Sequence, residues 1–428
     1  MRKPKIALMI TPMPFVHDQK RNAPLGVMYI AAVLEQEKYD VSIVDLRDME
    51  IPQAIKSVPD ADIYGFSASS LEYNIAVEIA EGVKKLHRKS MFVLGGVHAS
   101  FSPVEKLSKV FDVILKGEGE RAVFDIVELW PFEGSQLVRT AARITDLETL
   151  PYPARHLLPF ESIFHKGLVI PGSNVYGTTL TTSRGCPFDC SFCASRQVWG
   201  RKVTYNSVDR VIGEIEDIIT NYGVRQFRFY DDTITLNKKR LKELSYRLAP
   251  LKIEWRCHAR TDELDAETCK MLVECGCDEV AVGVESASQE ALNSCGKKVT
   301  VAQNKLGIKT AKDNGLKVKA FFIIGLPKDF GDVSQRDIDF IEECQLDAVN
   351  LSTLSPFPGS KLYDNPAAYG LKFRTDDISK YKMCYGLWGN EADEDFAFEY
   401  DEMNNEELKY HRRKLLEYIK EKGLDLNK

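Results

Sequence analysis

No window of this 428-residue chain approaches the roughly 18 consecutive apolar residues that a membrane-spanning helix needs. Its first apolar run, IALMI, is broken by Thr11 and Pro12 and is too short for a signal-peptide core. Positive charge is not in excess: 57 Lys and Arg stand against 63 Asp and Glu, a formal net charge of −6. A nucleic-acid or anionic-membrane partner therefore has no global electrostatic warrant, and neither is expected. The compact basic run Lys84, Lys85, His87, Arg88 and Lys89 closes a predicted helix, where cations favour the carbonyl ends. No second Cys-x-x-Cys pair accompanies the one at Cys190 and Cys193, so a paired zinc ribbon is missing. With ten cysteines and no secretory signal, the expected compartment is the reducing cytoplasm, where clustered thiols mean metal or redox chemistry rather than disulfides.

What is present is an ordinary globular composition, 44% hydrophobic and 28% charged, on a chain too long for one core. The first third alternates apolar runs (KIALMI, VSIVDL, DIYGFS, MFVLGG, FDVILKG) with amphipathic stretches such as NIAVEIAEGVKKL. Runs that are apolar throughout belong to parallel strands covered by helices on both faces. Five strands in a doubly wound, flavodoxin-like (Rossmann-like) α/β domain are expected over residues 1–135. Residues 136–175, punctuated by Pro151, Pro153, Pro159, Pro171 and Gly172, are expected to connect. From Thr178 six strand-helix steps follow, too few for an eight-stranded barrel, and a partial (β/α)6 barrel is expected over 176–365. Residues 366–428 are acidic, then helical, with a solvated Glu and Lys face in EELKYHRRKLLEYIKEKG.

The segment SRGCPFDCSFCASR carries the sharpest signal: Cys186, Cys190 and Cys193, spaced Cys-x-x-x-Cys-x-x-Cys, directly follow a predicted strand. Three thiolates on one short loop can each take one iron of a cubane, leaving a fourth iron open to chelate an amino acid through its amino and carboxylate groups. The alternative, three buried or zinc-binding cysteines, lacks a fourth ligand. Here the chain resembles the radical S-adenosylmethionine (SAM) superfamily, and the strand pattern around the motif is similar to that family's partial barrel. The resemblance implies a [4Fe-4S] cluster that cleaves SAM to a 5'-deoxyadenosyl radical, an external electron donor such as flavodoxin or ferredoxin, and a small-molecule substrate.

The resemblance also implies SAM contacts at the carboxyl ends of the barrel strands. Phe192 occupies the position similar to the family's adenine contact. Tyr230, Asp231 and Asp232 end the second strand, but YDD stands where the common Gly-Gly-Glu would be, and a plain strand-to-helix turn with an N-cap is the alternative. Arg260 with Asp262 ends the third strand. Glu285 with Ser286 ends the fourth, and Lys297 falls where relatives pair the SAM carboxylate, with a solvated surface lysine as its alternative. Gly325 and Pro327 resemble the fifth-strand segment that lets backbone approach the adenine. The seven remaining cysteines form no second cluster motif, and most read as small apolar residues, although Cys384 falls in a predicted loop.

The N-terminal domain resembles the cobalamin-binding domain of one large radical SAM branch. The supporting residues are Ser67 and Ser69 in GFSASS, Gly95, Gly96 and His98 in VLGGVHAS, and Gly117, Glu118 and Gly119 in KGEGE. Small residues at strand ends let backbone close on a phosphate-bearing tail. The DxHxxG loop that supplies a lower histidine to cobalt is missing, and His17 in FVHDQKRN does not match its spacing. The expected function is cobalamin-dependent methylation of an unactivated carbon in a small molecule or natural-product intermediate. The alternatives are a radical enzyme catalysing dehydration, deoxygenation, cyclisation or epimerisation with a vestigial cobalamin domain, and a non-catalytic sensor that binds cluster and SAM.

Overall fold

The computed structural model describes residues 2–16, 18–381 and 394–424, so His17 and Cys384 lie outside the described residues. Two compact units divide the chain, Met1–His165 and Lys166–Lys428. No helix among the described residues is long and apolar enough to cross a membrane.

In the first unit the apolar runs become parallel strands: β1 (Lys5–Ile10), β2 (Asp40–Asp45), β3 (Ile63–Ser67), β4 (Met91–Gly95), β5 (Val113–Lys116) and β6 (Leu137–Thr140). Their order is β2-β1-β3-β4-β5-β6, the flavodoxin-like order with one strand more than expected. Helices α1 (Leu25–Gln36), α2 (Ile51–Ser57), α3 (Tyr73–Leu86), α4 (Gly96–Phe101) and α5 (Gly119–Val127) connect them. The core packs Met9, Tyr64, Phe66, Phe92 and Phe111 against the buried face of α3, where Ala76, Ile79, Ala80 and Val83 repeat at helical spacing. Lys84 of the basic run is tied to the Val110 carbonyl and Asp112, in keeping with a helix-end role.

The stretch 136–175, read from its prolines as a connector, instead supplies β6, paired in parallel with β5 from Val113↔Leu137 to Lys116↔Thr140. An edge strand needs partners on one side only, so its short, half-exposed LVRT carries little of the apolar pattern that marks a buried strand.

The second unit is built on a seven-stranded sheet ordered β15-β14-β13-β12-β11-β8-β7. Its strands are β7 (His165–Lys166), β8 (Tyr176–Leu180), β11 (Gln226–Phe229), β12 (Glu254–Ala259), β13 (Cys277–Glu285), β14 (Lys317–Ile324) and β15 (Ala348–Thr353), while β9 (Ser183–Arg184) and β10 (Thr204–Tyr205) form a separate antiparallel pair. From β8 to β15 every pairing is parallel, which gives the expected six-stranded partial barrel. The helices are α6 (Ser195–Trp199), α7 (Val208–Tyr222), α8 (Lys238–Leu248), α9 (Ala266–Glu274), α10 (Gln289–Ser294), α11 (Val301–Asp313), α12 (Val333–Cys344), α13 (Lys361–Asp364) and α14 (Asn405–Glu421). The C-terminal segment is not only a solvated helix. The exposed face of α14 carries its Glu and Lys residues, whereas Leu408, His411, Leu415 and Ile419 are buried and His411 accepts from the Ser334 amide of α12.

Helix α11 meets the Thr261–Glu263 turn so closely that Gly307 has no room for a side chain: a Cβ there would overlap the Thr261 carbonyl oxygen. Alanine is the better helix former by about 1 kcal/mol, but overpacking against backbone costs about 1–3 kcal/mol and outweighs it. Gly307→Ala is therefore expected to lower the urea midpoint of the barrel unit, and an unchanged or higher midpoint would show that this contact yields freely.

Candidate functional site

At the carboxyl end of β8 the chain turns through Thr182 and Ser183 into the cysteine loop. Asp231, just beyond β11, holds this turn. Its buried carboxylate accepts from the Thr182 amide at 2.7 Å, the Thr182 hydroxyl at 2.6 Å and the Ser183 hydroxyl at 2.5 Å. Burial pushes the Asp231 carboxyl up, against the pull of those donors. Arg240 adds a bond to the Thr182 carbonyl at 3.1 Å and another to the Asn206 carbonyl. Asp231 is thus engaged in placing the loop, while Asp232 is the strand-end carboxylate whose charge reaches Cys186 and Cys193. Neither is a helix cap, since Asn237 caps α8 by accepting from the Arg240 amide.

Cys186 and Cys190 are half-buried and Cys193 is exposed, whereas Cys257, Cys269, Cys275, Cys277 and Cys295 are buried, as expected of small apolar residues. Burial pushes the Cys186 and Cys190 thiols up, so iron has to displace the protons it finds there. Between them the Ser191 hydroxyl is buried with no hydrogen-bond partner among the described residues, a donor available to an acceptor such as a cluster sulfide. The loop is anchored where the Ser191 amide donates to the Cys295 carbonyl at 2.8 Å and Asp189 pairs with Lys361 at 2.7 Å. The donor set, three thiols on a pinned loop beside cations, fits a [4Fe-4S] cluster.

Those cations are Arg260 and Lys297. Arg260, buried at the end of β12, grips Asp262 through two nitrogens at 2.9 and 3.1 Å, donates to the Lys297 carbonyl at 3.2 Å and lies 3.6 Å over the ring of Phe188 in the cysteine loop. Lys297 is not a surface lysine: its ammonium is buried 2.6 Å from Glu285 Oε1. Burial pulls the ammonium down, but the adjacent Glu285 carboxylate prevails and holds it above the ordinary lysine value. Glu285 sits at a bulge in the β13–β14 register with φ +67°, a conformation costing a non-glycine residue about 1 kcal/mol, and bulges commonly re-aim a side chain near a site. Gly283 is the partner to this arrangement, because a Cβ there would overlap Glu285 Oε1 and fall 2.7 Å from the Lys297 ammonium. Sequence reasoning passed over Gly283 and Phe188; a glycine two residues before a strand-end glutamate was the available signal.

Ser286 is fully buried and accepts from the Ser288 amide at 2.9 Å, shaping the turn after Glu285. Phe192 is half-buried on the cysteine loop. Tyr230 is exposed and edge-on to His258 at 5.6 Å. Gly325 is small for a packing reason: a Cβ would lie 2.8 Å from the Phe398 ring, and its carbonyl accepts from the Tyr400 hydroxyl at 2.9 Å. The Pro327 carbonyl accepts from the Ser294 hydroxyl at 2.5 Å.

In the first unit the strand-end segments gather at the carboxyl edge of β3, β4 and β5, which are neighbours in the sheet. Gly96 has φ +90°, and a Cβ would press within 2.8 Å of the Ala68 carbonyl, so only glycine lets α4 start this close to β3. Gly95 differs: no atom comes nearer than 3.9 Å to where its side chain would be. Half-buried Ser67 and exposed Ser69 lie beside it at this edge. Gly117 and Gly119 instead face Ala141 and Ile30, and Glu118 is spent on the Ile144 amide at 2.5 Å, securing the segment after β6. His98 is buried, stacked on Tyr73 at 4.1 Å, with ring nitrogens bonded to Ser70 at 3.0 Å and Ser102 at 3.1 Å.

Comparison with known proteins places both units. Residues 180–341 match the Radical SAM superfamily and residues 19–127 the B12 binding domain. An uncharacterized methyltransferase of Pyrococcus horikoshii is 32% identical, over 81% of this chain and 79% of its own. Cytidylyl-2-hydroxyethylphosphonate methyltransferase of Streptomyces wedmorensis is 26% identical, over 90% of this chain and 87% of its own. Among solved structures, the radical SAM methyltransferase TsrM from Kitasatospora setae, with cobalamin and [4Fe-4S] cluster bound, superposes with a TM-score of 0.65 at 17% identity, covering 88% of this chain and 81% of that one. The cobalamin-dependent radical enzyme OxsB gives 0.63 at 21% identity, covering 89% and 56%. At these identities the structural likeness is one of fold.

Two outcomes follow from the geometry. Lys297→Met strands a buried Glu285 carboxylate and is expected to cost about 3–5 kcal/mol, most of it recovered in Glu285→Gln/Lys297→Met; equal loss in the single and double variants by chemical denaturation would rule out a coupled pair. Burial lowers His98 to about 4, against about 6.5 for a free imidazole, so between these pH values the unfolded chain binds a proton that the folded one does not. Stability of the first unit is therefore present above pH 6.5 and lost toward pH 4, by about 3 kcal/mol from this group. The slope of melting temperature against pH in that window should be shallower in His98→Gln than in the parent protein.

Proposed function

Since the chain belongs to the radical SAM enzymes that carry a B12-binding domain, we propose that it methylates an unactivated carbon of a small molecule or natural-product intermediate, using SAM in a cobalamin-dependent reaction. When bound, the [4Fe-4S] cluster supplies the electron that cleaves SAM to a carbon-centred radical, and cobalamin supplies a carrier for the methyl group. Cys186, Cys190 and Cys193 would each hold one iron, and Asp231 keeps their loop in register. Lys297 and Glu285 would receive the carboxylate and the ribose or amino group of SAM, Asp232 offers a second acceptor at the mouth, and Phe192 a face for the adenine. Ser67, Ser69, Gly95 and Gly96 would admit the cobalamin tail. His98 has both ring nitrogens engaged by serines, so it would not be the residue that holds a metal in this domain. The electron would come from a flavodoxin or ferredoxin in a reducing cytoplasm.

The observation that carries this reading is the convergence of charged groups on the cysteine loop: Arg260 lies 3.6 Å over the Phe188 ring of that loop and donates to the Lys297 carbonyl at 3.2 Å, and the Lys297 ammonium lies 2.6 Å from Glu285. Protein reconstituted without oxygen should carry one [4Fe-4S] cluster and release 5'-deoxyadenosine from SAM under a reductant. The triple variant Cys186→Ala/Cys190→Ala/Cys193→Ala should do neither, and an intact cluster with cleavage in that variant would refute the assignment. Loading with hydroxocobalamin should give one equivalent with no imidazole-ligated spectrum, unchanged by His17→Ala. If no stoichiometric cobalamin binds, methyl transfer by this route is excluded and a non-methylating radical reaction takes its place.

A further inference from the structure

Helix α12 carries an acid on its buried face. Val333, Ile338, Phe340 and Ile341 are buried there, and Asp337 among them is 1% exposed. A carboxyl in that setting has lost its hydration and needs a polar partner. The partner lies 50 residues away: Asp337 Oδ1 accepts from the Ala287 amide at 2.9 Å, in the turn that leaves β13 directly after Glu285. The same turn is tightened by the Ser288 amide, which donates to the Ser286 hydroxyl at 2.9 Å. On the other side of Glu285 the Val284 carbonyl accepts from Asn304 Nδ2 at 3.4 Å, and Asn304, itself fully buried, accepts from the Thr261 hydroxyl at 2.6 Å. A bond of 3.4 Å is long, so the Asp337 contact is the firmer of the two. Glu285 needs such a hold. A φ of +67° persists in a non-glycine residue only where the surroundings over-determine it, and the β13–β14 ladder is itself irregular between Gly283 and Glu285.

Resting on the assignment of Glu285 to the SAM site, we infer that Asp337 is a positioning residue for SAM binding: it fixes the Ala287 amide, and the fixed turn keeps Glu285 in the strained backbone from which its carboxylate meets Lys297. Asp337 acts through Glu285 and not on SAM itself. Its remaining oxygen shows in which form it does so. Oδ2 of Asp337 and Oδ2 of Asp329 are both buried with no hydrogen-bond partner among the described residues, and the neighbouring Arg336 is committed to Asp329 Oδ1 at 2.7 Å and the Phe330 carbonyl at 3.0 Å. Burial pushes the Asp337 carboxyl up, and the charge of Asp329 pushes it further, so the acid without a cation stays protonated. Accepting from an amide needs an oxygen and no charge. Asparagine offers that oxygen at the same place, whereas leucine fills a similar volume and leaves the Ala287 amide unmatched.

The test is equilibrium binding of SAM to the anaerobically reconstituted full chain with the cluster left oxidised, so that affinity is read apart from cleavage. Asp337→Leu is expected to bind SAM about tenfold more weakly than the parent, and Asp337→Asn to stay within about twofold of it. In a Glu285→Gln background, already weakened, Asp337→Leu should add less than about twofold, because two residues that act through one contact do not add. Iron content and thermal melting report folding. Asp337→Ala is read in place of Asp337→Leu if the latter takes up no iron, and the asparagine variant decides if both fail. Parent-like affinity in Asp337→Leu, a tenfold loss in Asp337→Asn, or equal losses in the two backgrounds would each overturn the inference and leave the proposed function standing. Parent-like affinity in Glu285→Gln would overturn it too, by removing Glu285 from the site. A parent chain that neither binds SAM nor, once reduced, cleaves it would instead overturn the proposed function.

Discussion

The carboxylate of Asp231 is the fixed point of the barrel unit. Three hydrogen bonds from Thr182 and Ser183 join the end of one strand to the turn leaving another, 49 and 48 residues apart in the chain. The cysteine loop begins from that turn, so the positions of Cys186, Cys190 and Cys193 relative to the sheet are inherited from a buried acid. Arg240 closes the arrangement by bonding the same turn and the Asn206 carbonyl. A buried carboxylate so fully supplied with donors is rigid, because loss of any one donor leaves a desolvated oxygen unmatched.

Around that loop the barrel spends local strain to aim charge. The positive φ of Glu285, the bulge beside it and the missing side chain of Gly283 together turn a strand-end glutamate toward Lys297. Each of the three would be unfavourable or pointless alone. Arg260, stacked on Phe188 of the loop and bonded to the backbone of Lys297, couples this pair to the thiols. Acid and base thus lie side by side as a buried pair at the end of β13.

The first unit uses glycine for two different ends at adjacent positions. Gly96 is required by the backbone of Ala68, while a side chain at Gly95 would meet only ordinary contacts, at 3.9 Å. The first is needed by the backbone and the second could carry a small side chain without a clash. His98, two residues on, is committed to Ser70, Ser102 and the face of Tyr73.

The sequence by itself determined the chemistry of the cysteine loop and the class of both folds. Spacing within one loop decides how many thiols one cluster can collect, and the alternation of apolar runs with amphipathic stretches decides that parallel strands are covered by helices. It identified Glu285, Asp231 and Asp232 as strand-end polar groups, because periodicity locates strand ends, and Lys297 only through the family resemblance. Only the tertiary structure decided what each group does. Asp231 proved occupied by Thr182 and Ser183, Lys297 proved buried against Glu285, Glu118 proved tied to Ile144, and the LVRT stretch proved to be a sixth strand. The physical reason is that hydrogen bonding and ion pairing saturate over a few ångströms of space. A carboxylate is free for a ligand only if no distant segment has already met it, and local spacing carries no record of distant segments.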